Sequence, residues 1–162
     1  MATSRSVSDS GDGDIDALLS GSKWSTGNLT FSFPATAASY SYSGEPQQGF
    51  VPFSAELKTA TRAVLKLYGQ YANLTFTETT SASADLRFGM ADIDSGGRGY
   101  FPGDTASKSG DVWLPTSQTW TDIVPGGREF WSIMHEVGHA LGLSHLGTSF
   151  DPDHVGHDYS IM

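Results

Sequence analysis

One short segment, residues 135–145, constrains the chain more than any other. It reads His-Glu-Val-Gly-His-Ala-Leu-Gly-Leu-Ser-His. On a helix, His135 and His139 lie on one face, about 6 Å apart along the axis. If that helix continued, His145 would lie about 9 Å further along and about 240° around the axis, facing away. The spacing therefore predicts a helix that ends near Gly142, where glycine can adopt the left-handed conformation, followed by a chain that turns back.

Such a turn would bring the three imidazoles to one point, which is the ligand set of a catalytic zinc site with a fourth position left for water. Zinc lowers the pKa of its bound water to about 7 and polarises a carbonyl group. Glu136 follows His135 on the same helix and is the predicted general base, which takes the proton from the zinc-bound water and passes it to the leaving amine. The predicted reaction is hydrolysis of a peptide bond.

Other interpretations of the same residues remain open. The apolar residues of this helix could form an ordinary core face without any metal: Phe130, Ile133, Met134, Val137 and Leu141. His154 or His157 could supply a fourth ligand and make the zinc structural, although loop histidines in an acidic stretch are the simpler interpretation. A zinc-stabilised binding or adhesion module that has lost turnover, or an inactive protease fragment, is the alternative function. Glu136 argues against it, because a purely structural site needs no carboxylate there.

Composition narrows the class of protein. The 162 residues suffice for one domain, predicted over residues 14–162, with a flexible tail over residues 1–13. A net charge of −9 argues against nucleic-acid and anionic-membrane surfaces, and there are no cysteines to form disulfides or thiolate zinc sites. The acidic residues of the N-terminal region resemble a calcium loop but lack its late glutamate, so calcium is unsupported: Asp9, Asp12, Asp14 and Asp16.

Apolar periodicity predicts an α+β fold, a twisted mixed sheet that carries two long helices. One helix begins near Ser54 and has an apolar face that includes Leu57, Val64 and Tyr71; the other runs from about Arg128 to Leu141. Residues 94–104 contain five glycines or prolines and are predicted to be a loop. The predicted strands are Leu29–Pro34, Leu74–Thr80, Asp85–Ala91 and Gly110–Pro115.

The motif over residues 135–145 has the HExxHxxGxxH pattern of the metzincins, and the chain resembles the serralysin-like members, a group of bacterial secreted metalloproteases. The resemblance extends over LLSGSKW (18–24), LTFSFP (29–34), ANLTFTE (72–78), ADLRFG (84–89), GDVWLP (110–115) and YSIM (159–162). It implies a five-stranded sheet, a zinc endopeptidase that cleaves extended protein or peptide substrates, and secretion to the extracellular space. We expect a monomer with no nucleic-acid or membrane partner.

The resemblance also implies roles for two further segments. The strand near Gly110–Pro115 would be the sheet edge that pairs with the substrate backbone, through Gly110, Asp111, Val112, Trp113 and Leu114. Met162 would belong to the Met-turn, an apolar floor beneath the zinc. The chain departs from the group in four ways. It has Leu146 where proline is common, and its stretch from His145 to Met162 is shorter than usual. It also ends before the tyrosine that usually follows the Met-turn, and it lacks the calcium-binding repeats. We therefore expect a catalytic domain without its C-terminal end.

Overall fold

The computed structural model describes residues 1–94, 96–105, 107–145 and 160–162. The strands are β1 (Ser4–Ser6), β2 (Ser22–Trp24), β3 (Asn28–Ser32), β4 (Thr75–Glu78), β5 (Leu86–Ala91), β6 (Arg98–Gly99) and β7 (Asp111–Pro115). The helices are α1 (Gly13–Asp16), α2 (Ala55–Tyr71) and α3 (Arg128–Leu141), and two short 3-10 turns cover Ala37–Ser39 and Glu45–Gln47. The predicted α+β fold with a five-stranded mixed sheet is confirmed. The candidate ligands His154 and His157 lie outside the described residues.

The main sheet has the strand order β4-β3-β5-β7-β6. Strands β4, β3, β5 and β7 run parallel to one another, and β6 pairs with β7 in the antiparallel sense. Every residue of β5 and β7 is buried, as expected of parallel strands that are covered on both faces. Side chains alternate between the faces: Val112 and Leu114 join the core beneath α2 and α3, whereas Trp113 packs with Tyr40 in a second cluster.

Helix α2 begins where the sequence predicted, with Ser54 as its cap. The Ser54 hydroxyl accepts a hydrogen bond from the backbone N–H of Leu57 at 3.2 Å. Leu57 and Val64 are buried on the predicted apolar face, but Tyr71 at the end of the helix is 86% exposed. Tyr71 is the last residue of the helix and does not take part in the buried face that the sequence predicted for it. No helix in the described part of the chain is long and apolar enough to span a bilayer.

The N-terminal segment differs from the flexible tail expected over residues 1–13. Strand β1 pairs antiparallel with β2, with Ser4 opposite Trp24 and Ser6 opposite Ser22. Helix α1 begins within the same segment, and the Asp12 carboxylate accepts the backbone N–H of Asp14 at 3.0 Å. All three residues of β1 are exposed, and the strand is held by backbone hydrogen bonds to β2. It therefore has no alternating apolar pattern from which the sequence could predict a strand.

The segment Gly110–Leu114 is not at the edge of the sheet, which corrects the role implied for it. Strand β7 lies between β5 and β6, so both of its backbone edges are already paired. Gly110, Asp111, Val112, Trp113 and Leu114 are all buried. The edge strand next to β7 is β6, which lies in the stretch that was predicted to be a loop. Two residues among many glycines are too few to show the alternating pattern of a strand.

Candidate active site

Three histidines bring one ring nitrogen each to a common point: His135, His139 and His145. The Nε2–Nε2 distances are 3.0 Å between His135 and His145, 3.1 Å between His135 and His139, and 3.1 Å between His139 and His145. Two nitrogens that bind one zinc ion at about 2.0–2.1 Å in tetrahedral geometry lie about 3.3 Å apart. The spacing of the three nitrogens therefore fits a single ion of this size.

Backbone carbonyl groups set the tautomer of two of these rings. The Nδ1 atom of His135 lies 2.5 Å from the carbonyl oxygen of Ile161, and that of His139 lies 2.8 Å from the carbonyl oxygen of Leu143. A carbonyl oxygen only accepts, so each Nδ1 carries the proton and donates it. In a neutral ring the Nε2 atom then has a free lone pair, which is what a metal ligand requires.

His139 is suited to remain neutral. Burial lowers its pKa to about 4; the neighbouring rings of His135 and His145 act in the same direction, and the hydrogen bond to Leu143 opposes them. At neutral pH the imidazole is therefore uncharged and able to bind a cation. Two aromatic rings pack on the ligands: Trp131 stacks on His135 with centroids 5.0 Å apart, and Phe101 meets His139 edge-on at 5.5 Å.

The end of α3 turns the chain back towards the other two histidines. Gly142 has φ 109° and ψ 14°, in the left-handed region. Its N–H donates to the carbonyl of His139 at 2.9 Å, and the N–H of Leu143 donates to the carbonyl of Gly138 at 2.9 Å. This is the Schellman pattern of helix termination. The indole N–H of Trp24 donates to the Ala140 carbonyl at 2.9 Å, so another terminal carbonyl of the helix is satisfied.

The segment that carries His145 is held by residues from the start of the chain. The N–H of Ser144 donates to the Leu18 carbonyl at 2.7 Å, and the N–H of Ser20 donates to the Gly142 carbonyl at 3.0 Å. Leu19 and Leu143 form an antiparallel bridge between these bonds. The position of the third histidine thus depends on contacts with residues more than 120 positions earlier in the chain.

Glu136 lies in the same cleft as the three histidines and is 5% exposed. Burial raises its pKa to about 7, and a hydrogen bond from the backbone N–H of Gly99 acts in the opposite direction. A carboxyl group with a pKa close to the working pH can both accept and release a proton. The cleft has a volume of about 570 Å³ and includes β6 in its wall.

Two glycines, Gly97 just before β6 and Gly99 within it, allow this strand to approach α3 closely. A Cβ atom on Gly97 would lie 2.7 Å from Cγ of Glu136 and 2.8 Å from its Oε1. A Cβ atom on Gly99 would overlap the carbonyl oxygen of Glu136 and lie 2.7 Å from Cβ of His139. Any larger residue would therefore push the strand away from the helix. The three glycines among residues 96–99 were the only sequence signal of this packing, and on their own they indicated a loop.

Met162 is 7% exposed and lies against the turn of α3 between His135 and His139. A Cβ atom on Gly138 would lie 2.7 Å from the sulfur of Met162 and 2.9 Å from the hydroxyl of Tyr68. Because the preceding residue supplies the carbonyl that binds His135, the segment 160–162 contacts the candidate metal site directly.

The structure brings Glu136, the three histidines and the Met162 segment together, and it places Gly110–Leu114 apart from them. The described residues that line the cleft include Gly96, Gly97, Arg98, Gly99 and Phe101, but none from Gly110–Leu114. Sequence reasoning missed the edge strand and the carbonyl groups that orient the histidines. Carbonyl groups leave no trace in a residue pattern, since every residue has one.

Known proteins that are similar to this chain include a metallopeptidase and several serralysins. The family model described as Matrixin (Peptidase_M10) matches residues 23–153. A protein named metallopeptidase AprA from Pseudomonas marginalis is 32% identical over 130 residues, which cover 74% of this chain and 27% of that protein. Serralysin A from Dickeya chrysanthemi is 35% identical over 132 residues, with 74% and 27% covered. A serralysin from Photorhabdus sp. (strain Az29) is 35% identical over 103 residues, with 60% and 21% covered.

The chain thus spans about a quarter of the length of the curated relatives it matches. The family match nevertheless covers most of the chain, from β2 to beyond the third histidine. The five-stranded sheet and the helix with its histidine triad agree with it. The chain therefore belongs to the Matrixin family of peptidases, as a serralysin-like metzincin.

Proposed function

We propose that this chain is the catalytic domain of a zinc-dependent endopeptidase of the serralysin type. The observation that carries the proposal is the convergence of three Nε2 atoms within 3.0–3.1 Å, with the buried carboxylate of Glu136 in the same cleft. A structural zinc site has no use for such a carboxylate, which costs free energy to bury. The alternative of a non-catalytic binding module is therefore less well supported.

His135, His139 and His145 would hold the zinc. Bound there, the ion would polarise the scissile carbonyl group and acidify a water molecule. The carbonyls of Ile161 and Leu143 keep two of the ligand rings oriented, as partner groups of metal-bound histidines do.

Glu136 would take a proton from the attacking water and deliver it to the leaving amine. The backbone N–H of Gly99 acts on this carboxylate as a hydrogen-bond donor and favours its charged form. Burial of Glu136 limits its contact with bulk water, so proton transfer within the cleft is favoured over exchange with solvent.

The substrate is proposed to be an extended polypeptide that lies along β6. This strand is last in the strand order, and β7 is its only strand partner among the described residues. Main-chain hydrogen bonds to such an edge select extended segments with little regard to their side chains. β6 therefore takes the role that the resemblance implied for Gly110–Leu114. The resemblance to bacterial secreted metalloproteases supports an extracellular place of action, and a monomer stays our prediction.

The test compares the wild-type chain with Glu136→Gln in zinc binding and in hydrolysis of a quenched fluorescent casein. We expect one zinc per chain in both proteins, and a loss of cleavage of at least about 100-fold in the variant, the usual contribution of a general base. Chelation should abolish wild-type cleavage, and added zinc should restore it.

Glu129→Gln is the matched control, since it is the same substitution in the first turn of the same helix, outside the cleft. It should cleave at the wild-type rate. Wild-type cleavage by Glu136→Gln would refute the role of Glu136. A wild-type chain that binds zinc but cleaves nothing would refute the peptidase assignment for this chain.

A further inference from the structure

A buried carboxylate, that of Glu45, lies behind the wall of the cleft. Glu45 is 2% exposed. Its Oε1 atom accepts hydrogen bonds from Nη1 of Arg98 at 2.7 Å and from the hydroxyl of Tyr100, and Nζ of Lys108 lies 3.5 Å from Oε2. Burial acts to raise the pKa of Glu45, but the bonds from Tyr100 and Arg98 and the charge of Lys108 outweigh it, so the pKa lies below its ordinary value. The carboxylate is therefore charged at neutral pH.

The backbone that carries Glu45 is itself fixed. Glu45 opens a 3-10 turn in which the N–H of Gly44 donates to the side-chain oxygen of Gln47 at 2.7 Å. A few residues later Val51 exchanges two backbone hydrogen bonds with Met90 of β5, each 3.0 Å long. The carboxylate thus projects from a turn that is attached to the centre of the sheet.

All three partners of Glu45 come from β6 and the loop that follows it. Arg98 is in β6, Tyr100 follows the strand, and Lys108 lies on the return towards β7. Strand β6 itself pairs with β7 through only two residue pairs. Two pairs at the edge of a sheet give little resistance to fraying, so the contacts with Glu45 are a substantial part of what holds this strand.

The inner side of β6 rests on the candidate catalytic residues. Gly97 and Gly99 contact Glu136 so closely that neither position has room for a Cβ atom, and Gly99 also meets His139. A displacement of β6 would therefore change the position of the Glu136 carboxylate and its bond with Gly99. Misplacement of a reacting group by about 1 Å can lower a rate by about 100-fold.

We propose that Glu45 is a positioning residue, which fixes β6 against Glu136 and so sets the geometry of the cleft without touching the substrate. The effect of Glu45 on the rate of cleavage rests on the proposed function. The effect of Glu45 on the position of β6 does not.

Amide hydrogen exchange tests the structural part directly, on the zinc-loaded chain without substrate. In Glu45→Gln we expect exchange in residues 97–101 to be at least about tenfold faster than in the wild type, because a charge-assisted hydrogen-bond network is lost. Tyr100→Phe removes one donor to Glu45 without adding volume and should give a smaller increase at the same residues. Glu78→Gln is the control, since it breaks an exposed ion pair with Arg62 and should leave residues 97–101 unchanged.

Zinc affinity and casein hydrolysis complete the test. Glu45→Gln should keep wild-type zinc affinity and lose about 10- to 100-fold in kcat/KM, while Glu78→Gln should lose nothing. If the wild type failed to cleave, the proposed function would fall, but the exchange data would still decide the role of Glu45. Equal exchange at residues 97–101 in Glu45→Gln and wild type would overturn the proposal. A faster exchange throughout the chain with loss of zinc would also overturn it, because that result shows a general role in stability.

Discussion

Replacement of Gly142 by alanine should damage both the fold and the metal site. Gly142 has φ 109°, a backbone conformation that alanine adopts only at a cost. In addition, a Cβ atom at this position would lie less than 3.0 Å from the backbone oxygen of Ser22. That oxygen belongs to β2, so no side-chain rotation can relieve the overlap.

The magnitude follows from these two terms. The left-handed conformation costs about 1–2 kcal/mol for a residue with a Cβ atom. Overpacking against a fixed neighbour costs about 1–3 kcal/mol more. Gly142→Ala should therefore lower the free energy of unfolding by about 2–5 kcal/mol. At about 2–4 °C per kcal/mol for a chain of this size, Tm should fall by roughly 4–20 °C.

Gly126→Ala separates the two terms. Gly126 also has a positive φ, of 86°, but a Cβ atom there would have nothing within 4 Å. Only the conformational cost applies, so we expect a loss of about 1–2 kcal/mol. Thermal unfolding of both variants without zinc gives the comparison. Equal losses of stability in the two variants would show that the overlap with Ser22 does not exist.

The functional part of this prediction concerns His145. Strain at Gly142 displaces Leu143 and Ser144, which pair with the start of the chain and place the third histidine. We expect zinc affinity, measured by competition with a chelator, to fall at least about tenfold in Gly142→Ala, comparable to the effect of losing a partner group of a metal ligand. Unchanged affinity would refute the link between the helix end and the metal site.

Two further predictions concern other parts of the site. Alanine is preferred over glycine in a helix by about 1 kcal/mol, yet Gly138→Ala should lower Tm, because its Cβ atom would lie 2.7 Å from the Met162 sulfur and 2.9 Å from the Tyr68 hydroxyl; a higher Tm by calorimetry would contradict this packing. The pKa of Glu45 is lowered in the folded state, so its contribution to stability is complete above its unfolded-state value of about 4.3 and is lost as the pH falls through the folded-state value. In zinc-free protein, the difference in unfolding free energy between wild type and Glu45→Gln should therefore shrink on acidification, and a difference that grew towards low pH would contradict this assignment.

The sequence by itself determined the parts that depend on local spacing. A separation of four residues puts His135 and His139 on one helix face in any context. Gly142 follows the last apolar position of that helix, where the left-handed conformation is needed, and the structure has it there. Ser54 indicated the start of α2 in the same way, because a capping hydroxyl acts on a backbone group only three residues away.

Only the tertiary structure decided which strand forms the edge of the sheet beside the cleft and what surrounds the histidines. The position of β6 outside β7 results from pairing between segments, and backbone hydrogen bonds are the same for every sequence. For that reason the run at Asp111–Pro115 indicated a strand but not its place in the sheet, since apolar residues report burial and not strand order. The edge position that the resemblance implied for it was wrong. The carbonyls of Ile161 and Leu143 and the pairing of Leu19 with Leu143 likewise became visible only in the fold, where backbone groups far apart in the chain meet.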